Sequence, residues 1–489
     1  MAQGKLKLQI RTDIFEHCIY PCPSRLNSSS IINLIKSLYL VAGQDGKVQF
    51  SQWAEVAIKQ LSLSLQEAEV YYETFRNLAY ENKPNSIDAK LFALFLCLQL
   101  YTAATTRISL ENASSLSSKF NSEYPGFTGS GTFPNPQASP RSKAVRGFLF
   151  TQPASDFQMA HQFVKGNLKL LLKVVSGDPQ AQEVALSPDD FNALSLVIEG
   201  AKPLSRACPM FSSALKVHYE ELVDWLNRKL NCPSTESLSG MENILVLSDL
   251  KGSVIIKESQ ECVEKDVFIT TCEESYIYLN ANVKQVSIVN CREVTIFIGA
   301  VRKIASIDKC ELCSIVLCSN MVRVGNSVDC TLHTYSPFPP VLYGDNRGLT
   351  LGPYSACYPR LASIVESANI PRSSTNQKVL HSWATPIQMN TEGLSYSLLQ
   401  PKDFFPIVLP NSLSPQNPNP AFTPEEFVNA IAIREDYFRS IQAMIANSNL
   451  TEEQERRLHL AIQGHFREWL SSSGQYKAPL ELVRMMDQE

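Results

Sequence analysis

The stretch DVFITTCEESYIYLNANVKQVSIVNCREVTIFIGAVRKIASIDKCELCSIVLC (266–318) decides the fold, because it repeats itself with a short period. Cys272, Cys291, Cys310 and, further on, Cys330 lie 19, 19 and 20 residues apart. An isoleucine stands three places before each of the first three, at Ile269, Ile288 and Ile307. Five and seven places after them come Ile277 and Leu279, Ile296 and Ile298, and Ile315 and Leu317. An earlier copy fits at an offset of 23, with Ile244, Val246, Val254 and Ile256 over Val267, Ile269, Ile277 and Leu279. Period-two alternation inside each unit means strands, since alternate side chains share a face. A unit of about twenty residues made only of short strands cannot bury its own apolar side, so it must stack on its neighbours. The expected architecture is a parallel β-helix whose interior ladder includes Ile269, Cys272, Ile277, Ile288, Cys291, Ile296, Ile307, Cys310 and Ile315.

A cysteine on such a ladder acts as a small buried hydrophobe. The alternative is a metal site at Cys310-x-x-Cys313 with Cys318, but structural zinc wants paired ligands converging on one point, and no second spaced pair is present.

Outside the repeat, the chain of 489 residues is 44% apolar and 19% charged, enough for two or three domains with real cores. A net charge of -4 with interspersed signs argues against nucleic acid as a partner, which calls for a concentrated basic face. The longest apolar run, LFALFLCL (91–98), falls far short of a membrane span and reads as a core helix. MAQGKLKLQIRTD at the start lacks the apolar segment of a secretory signal. Thirteen cysteines without a compact paired framework suit a reducing cytoplasm.

Residues 1–110 form an N-terminal helical region. KLKLQI suggests a short strand, and helical spacing then groups Ile31, Leu34, Ile35 and Leu38, next Trp53, Val56, Ala57 and Leu61, and then Val70, Tyr71, Thr74, Phe75 and Leu78. Residues 111–146 are rich in Ser, Pro and Gly and read as a linker or insertion. Helical spacing returns over 147–235, with Phe157, Ala160, Phe163, Leu168, Leu171 and Leu172 on one face. The β-helix occupies 236–370, and 371–422 is an irregular Pro/Asn-rich segment. Residues 423–489 predict a helical hairpin: Thr423-Pro-Glu-Glu426 and Thr451-Glu-Glu-Gln454 carry capping-box signals. Its apolar faces would be Phe427, Ile431, Phe438 and Ile441, then Leu458, Ile462, Phe466, Trp469 and Leu470.

No phosphate-binding glycine loop, G-x-S-x-G elbow, H-E-x-x-H or dinucleotide fingerprint occurs. No cofactor is implied. His333 is the one histidine inside the repeat, and without a positioned partner it reads as a ladder or surface residue rather than a general base.

CEESYIYL (272–279), NCREVTIFIGAV (290–301), CTLHTYSPFPPVL (330–342) and LTLGPYSACYP (349–359) resemble the C-CAP/cofactor C-like domain family. The resemblance extends to SLVIEGAK (195–202) and HFREWLSSSGQ (465–475), so it covers both flanks. It implies a mixed α and β chain, with a right-handed parallel β-helix preceded by an α-helical domain and followed by a C-terminal helical hairpin. Enzymatic members of that family are GTPase-activating proteins with an arginine finger four residues after a cysteine, in a C-Q-Q-x-R-like string. A guanidinium there stabilises charge that develops in the phosphoryl-transfer transition state. Counted from Cys330, the arginine slot is Thr334, and Thr331 and Leu332 replace the glutamines. The similarity is therefore to a non-enzymatic branch.

That branch implies a scaffold at the microtubule-organising centre, at centrosome, spindle pole or basal body, with roles in centrosome and Golgi positioning and cell shape. Protein partners are expected, tubulin or a small GTPase among them. The competing readings are a GTPase-activating enzyme that uses a displaced Arg323 or Arg347, and a GTPase-binding module without turnover.

Overall fold

The computed structural model describes residues 8–102, 153–179, 181, 183–200, 202–232, 243–372, 378–389, 396–407, 409, 421–448 and 450–473. The expected linker at 111–146 lies outside these residues.

The centre of the molecule is a parallel β-solenoid. Its first face stacks Ile244–Ser248, Asp266–Thr270, Gln285–Val289, the second half of Thr295–Asp308, the second half of Ser314–Gly325, Val341–Tyr343 and Ile387–Met389. The second face stacks Val254–Glu258, Tyr276–Val283, the first halves of those two long strands, Thr331–Tyr335, Leu349–Pro353 and Tyr396–Leu398. Between the faces runs a narrow ladder of single bridges, Lys251–Glu273–Arg292–Glu311–Val328–Arg347. On either side of that ladder the chain adopts left-handed backbone, at Thr271, Asn290, Lys309 and Asn326 and at Glu274, Glu293, Leu312 and Asp329. Each coil thus turns this edge with the same two kinks. Side chains rarely tolerate that conformation, and the chain returns to glycine there at Gly344 and Gly348, with φ of 68° and 62°.

Inside, Ile269, Ile288 and Ile307 stack in register, as do Ile277, Ile296 and Ile315, and each is at most 1% exposed. Cys272, Cys291 and Cys310 sit at the inner corner beside them. Each thiol donates to a carbonyl one coil below, at Leu247, Ile269 and Ile288. Burial and these acceptors favour the neutral thiol. Among the described residues no three His, Cys, Asp or Glu side chains converge as metal ligands.

Two sequence registers need correction. Cys330 is not the fourth member of the Cys272 column. Bridges pair Glu311 with Val328, and Ser314 pairs with Thr331, so Ser327 follows Cys310 and Cys330 follows Cys313. The coil from Glu311 to Val328 is only 17 residues, because register is lost between Ile298 and Val301 and again between Val301 and Ile304. The next strand rounds that corner more tightly, through Ser319 and Asn320. The first coil lies at an offset of 22, not 23: Leu245 pairs with Val267 and Leu247 with Ile269. A slip of one residue exchanges the two faces of a strand, and Leu247 is 8% exposed while Val246 is 39% exposed.

The helical stretches on either side of the linker share one core. Pro153–Val175 packs with Ala89–Leu98, and Leu8–Ile10 is the middle strand between Ile198–Glu199 and Leu230–Asn231. All the apolar positions expected at 31–78 are buried. The same core runs on to the solenoid's first face through Ile304, Met321, Val341 and Ile387, so the N-terminal unit and the solenoid are packed together.

The helix Glu425–Asn447 begins one residue later than expected. Pro424 is its N-cap, and the Thr423 hydroxyl instead donates to the Tyr354 carbonyl at 3.2 Å. Thr451 and Gln454 do form the reciprocal cap of Glu452–Ser473. Phe427 and Ile431 close over Trp383 and Phe404 at the end of the solenoid. The rest of the expected apolar face is only partly covered: Ile441 and Leu458 are half-buried, whereas Phe438 and Ile462 are exposed, as are Ile433, Tyr437 and Met444. The side chains of Phe466, Trp469 and Leu470 lie outside the described residues.

Candidate functional site

In a parallel ladder, in-register side chains point the same way. Leu279, Ile298 and Leu317 are in-register neighbours that line the interior, and the next residue in that column is Thr334. Thr334 is 2% exposed and its hydroxyl has no hydrogen-bond partner. The slot counted from Cys330 therefore points into the solenoid, and no side chain placed there could reach a bound GTPase. The reason is the short coil: once Cys330 belongs to the Cys313 column, counting from it no longer finds a surface position.

His333, on the other side of the strand, is 9% exposed, with Nδ1 donating to the Pro353 carbonyl at 3.0 Å. Burial pushes it down to about 4, against the opposing effect of that hydrogen bond, so it is neutral near pH 7. Phe404 covers its ring at a centroid distance of 6.0 Å.

The two basic residues offered in place of the finger differ sharply. Arg347 is at the outer edge, its side chain 73% exposed, held to Asp345 at 2.7 Å. Arg323 is 4% exposed. It follows Cys318-Ser319-Asn320-Met321-Val322, so a cysteine, two polar residues and then an arginine occur in the order of the C-Q-Q-x-R-like string, with one residue more. Its guanidinium carbon lies 4.7 Å from the centre of the Tyr20 ring and 4.4 Å from that of Tyr343, and Nη2 donates to the Ile19 carbonyl at 2.6 Å. The remaining Nε and Nη1 have no hydrogen-bond partner, so the ring faces supply the rest of its stabilisation.

This clamp is one step of a longer docking line. Ser287, Ser306 and Arg323 are in-register neighbours on the outward side of the first face. Glu16 accepts from Ser287 at 2.9 Å, the His17 Nδ1 lies 2.8 Å from the Ser306 hydroxyl, and Ile19 takes Arg323. Glu16 and His17 at the end of the helix Thr12–His17, and Ile19 two residues past it, thus meet successive coils. Beside them, the Thr74 hydroxyl meets the Met321 sulfur at 3.5 Å, and Lys303 donates to the Leu78 carbonyl at 3.2 Å. Nothing local in the sequence announces these contacts, which join residues more than 200 positions apart.

Among the described residues no helix is long and apolar enough to cross a membrane. Residues 264–382 match the family described as tubulin binding cofactor C. TBCC domain-containing protein 1 of Danio rerio is 23% identical, over 90% of this chain and 88% of its own length. The proteins of that name from Xenopus laevis and Rattus norvegicus are 22% and 23% identical over 87% and 88% of this chain, and over 89% and 86% of their own lengths. A solved structure, tubulin binding cofactor C from Leishmania major, aligns with 34% of this chain and 98% of its own, at 14% identity and a TM-score of 0.22.

Proposed function

Residues 264–382 being a domain of the tubulin binding cofactor C family, we propose that the chain is a non-enzymatic scaffold or adaptor of the tubulin cytoskeleton. It acts at the microtubule-organising centre, in centrosome and Golgi positioning and in cell shape. The observation that carries the reading is the Arg323 clamp. An arginine finger must enter a partner's active site and meet charge that develops there. Arg323 is instead spent inside the protein, on Tyr20, Tyr343 and Ile19. A solenoid whose backbone is ordered before binding loses little conformational entropy when a partner docks, which suits an adaptor.

The test has two arms. The tagged full chain should concentrate at the centrosome or basal body, and its depletion should displace the centrosome. Single-turnover GTP hydrolysis by tubulin, or by a small GTPase recovered with the protein, should run at the same rate with and without it. A diffuse protein with normally placed centrosomes after depletion would count against the scaffold.

Arg347 supports a second reading, a GTPase-activating protein, because its guanidinium is exposed at the edge of the solenoid. Acceleration of hydrolysis that disappears in Arg347→Ala would establish that reading in place of the first.

A further inference from the structure

A recess of about 260 Å³ opens where three parts of the chain meet. One wall is the end of the helix Leu65–Ala79 and the residues after it, with Asn77, Glu81 and Lys83. The second is the tight solenoid corner, with Arg302, Lys303 and Asn320. Asn369, just past the helix Leu361–Ser367, completes the rim.

Three cations line it against one carboxylate. Glu81, 61% exposed, bridges Arg302 at 3.3 Å and Lys303 at 3.2 Å, and Arg302 reaches out to Glu264 at 2.8 Å. Lys83 is different. Its ammonium donates to the neutral amide oxygen of Asn320 at 2.8 Å. Nearby Glu73 is itself paired with Arg76 at 2.5 Å. Burial, only partly offset by Glu73, pushes Lys83 down to about 8. An ammonium so placed gains from a further negative charge. Asn320 cannot turn to provide more, because its amide nitrogen already donates to the carbonyls of Arg302 at 2.7 Å and Ala368 at 3.0 Å. The Asn77 amide oxygen and Arg302 Nε are also buried without a hydrogen-bond partner.

We propose that this recess binds a small phosphate-bearing ligand, either inorganic phosphate or a phosphate monoester. The donors come from two walls, Lys83 from the helical unit and Arg302 and Lys303 from the solenoid. A flat carboxylate offers two oxygens in one plane, and Glu81 already supplies that to the solenoid pair. A tetrahedral oxyanion offers oxygens in several directions and so reaches Lys83 as well, and charge-assisted bonds of this kind are the strong ones. Each water takes about 30 Å³ of liquid volume, so there is room for a phosphate group with several waters or with the start of an ester. A ligand held from both walls stabilises their docking by mass action.

The test is calorimetric titration of the full chain with sodium phosphate at constant ionic strength, paired with thermal unfolding. One saturable site is expected, with an unfolding temperature that climbs as phosphate is added. Lys83→Met and Arg302→Gln should each weaken binding about tenfold, equivalent to about 1.4 kcal/mol. Glycerol 3-phosphate separates the two sources: tighter binding than inorganic phosphate identifies an ester, equal binding identifies the free ion, and both sustain the site. Phosphate that acts no differently from chloride overturns the assignment, as does undiminished affinity in both variants or acetate binding more tightly than phosphate. Should Lys83→Met fail to fold, Arg302→Gln, at a side chain 27% exposed, carries the test alone.

Discussion

His17 and Ser306 meet at 2.8 Å across 289 residues of sequence, and burial keeps the imidazole uncharged there. Burial pushes His17 down to about 3; Asp13 opposes the shift, while Arg323 and Lys284 add to it. The ring sits between Glu16 on Ser287 and Ile19 on Arg323 in a line that matches the helix end to the stacking of the coils. Protonating it would put a second cation beside the clamped guanidinium, in a place that water does not reach.

Stability should therefore fall with acid. Above about pH 6.5 both folded and unfolded chains hold His17 neutral, and it contributes no pH dependence. Below that the unfolded chain takes up the proton and the folded chain does not, so stability drops by about 1.4 kcal/mol per pH unit until about pH 3. His333, pushed down to about 4, acts in the same direction. Urea midpoints measured at about pH 7.5 and about pH 5.5 should differ, and the gap should narrow in His17→Gln, which keeps a hydrogen-bonding group but does not titrate. An unchanged gap would mean that the imidazole is already charged or solvated at the interface.

Arg323→Ala should loosen the two units from each other. It removes a charge-assisted bond to the Ile19 carbonyl and two cation–ring contacts, worth about 2–4 kcal/mol together in a desolvated setting. Arg323→Lys should recover little of this, since an ammonium lacks the flat face that lies between Tyr20 and Tyr343. Hydrogen exchange should quicken first in Thr12–His17, with the solenoid interior unaffected. Uniform loss of protection through both units would show instead that they unfold as one.

Thr334 offers the opposite case, a buried hydroxyl with no partner. Thr334→Val keeps the shape and deletes the unsatisfied group, so it should be neutral or stabilising by about 1 kcal/mol in thermal unfolding. Thr334→Arg should cost several times that, since it buries an unpaired charge, and should confer no acceleration of GTP hydrolysis. Hydrolysis that rose in Thr334→Arg would mean that the column opens outward.

What could be read from the sequence followed local physics. Ile269, Ile288 and Ile307 recur every 19 residues, each two places after another small or aliphatic residue (Val267, Val286 and Ala305), so their stacking is legible without coordinates. Cys330 was misleading because Cys310 and Cys313 begin adjacent columns three residues apart, and a spacing count cannot reveal that the corner at Ser319 and Asn320 is tighter than the one before it. Thr423 was misleading in another way: its hydroxyl had two possible uses, and tertiary contact with Tyr354 won over the cap. Arg323 was invisible as an interior residue, since nothing near a charged residue in a strand says that Tyr20 will come to cover it.

The first coil shows the same ambiguity and allows a sharp check. Ile244, Leu245, Val246 and Leu247 are consecutive aliphatics, so alternation alone cannot say which of them faces inward. The pairing of Leu247 with Ile269 puts Leu247 inside, and Val246 is left 39% exposed. Leu247→Ala should then cost about 2–3 kcal/mol, the low end for a buried leucine because this coil lies at the end of the stack, where surroundings can relax into the space. Val246→Ala removes mostly solvated surface and should change stability by less than about 0.5 kcal/mol. Chemical denaturation of the two variants decides the register: the reverse order of costs would restore the offset of 23 and turn the first strand over.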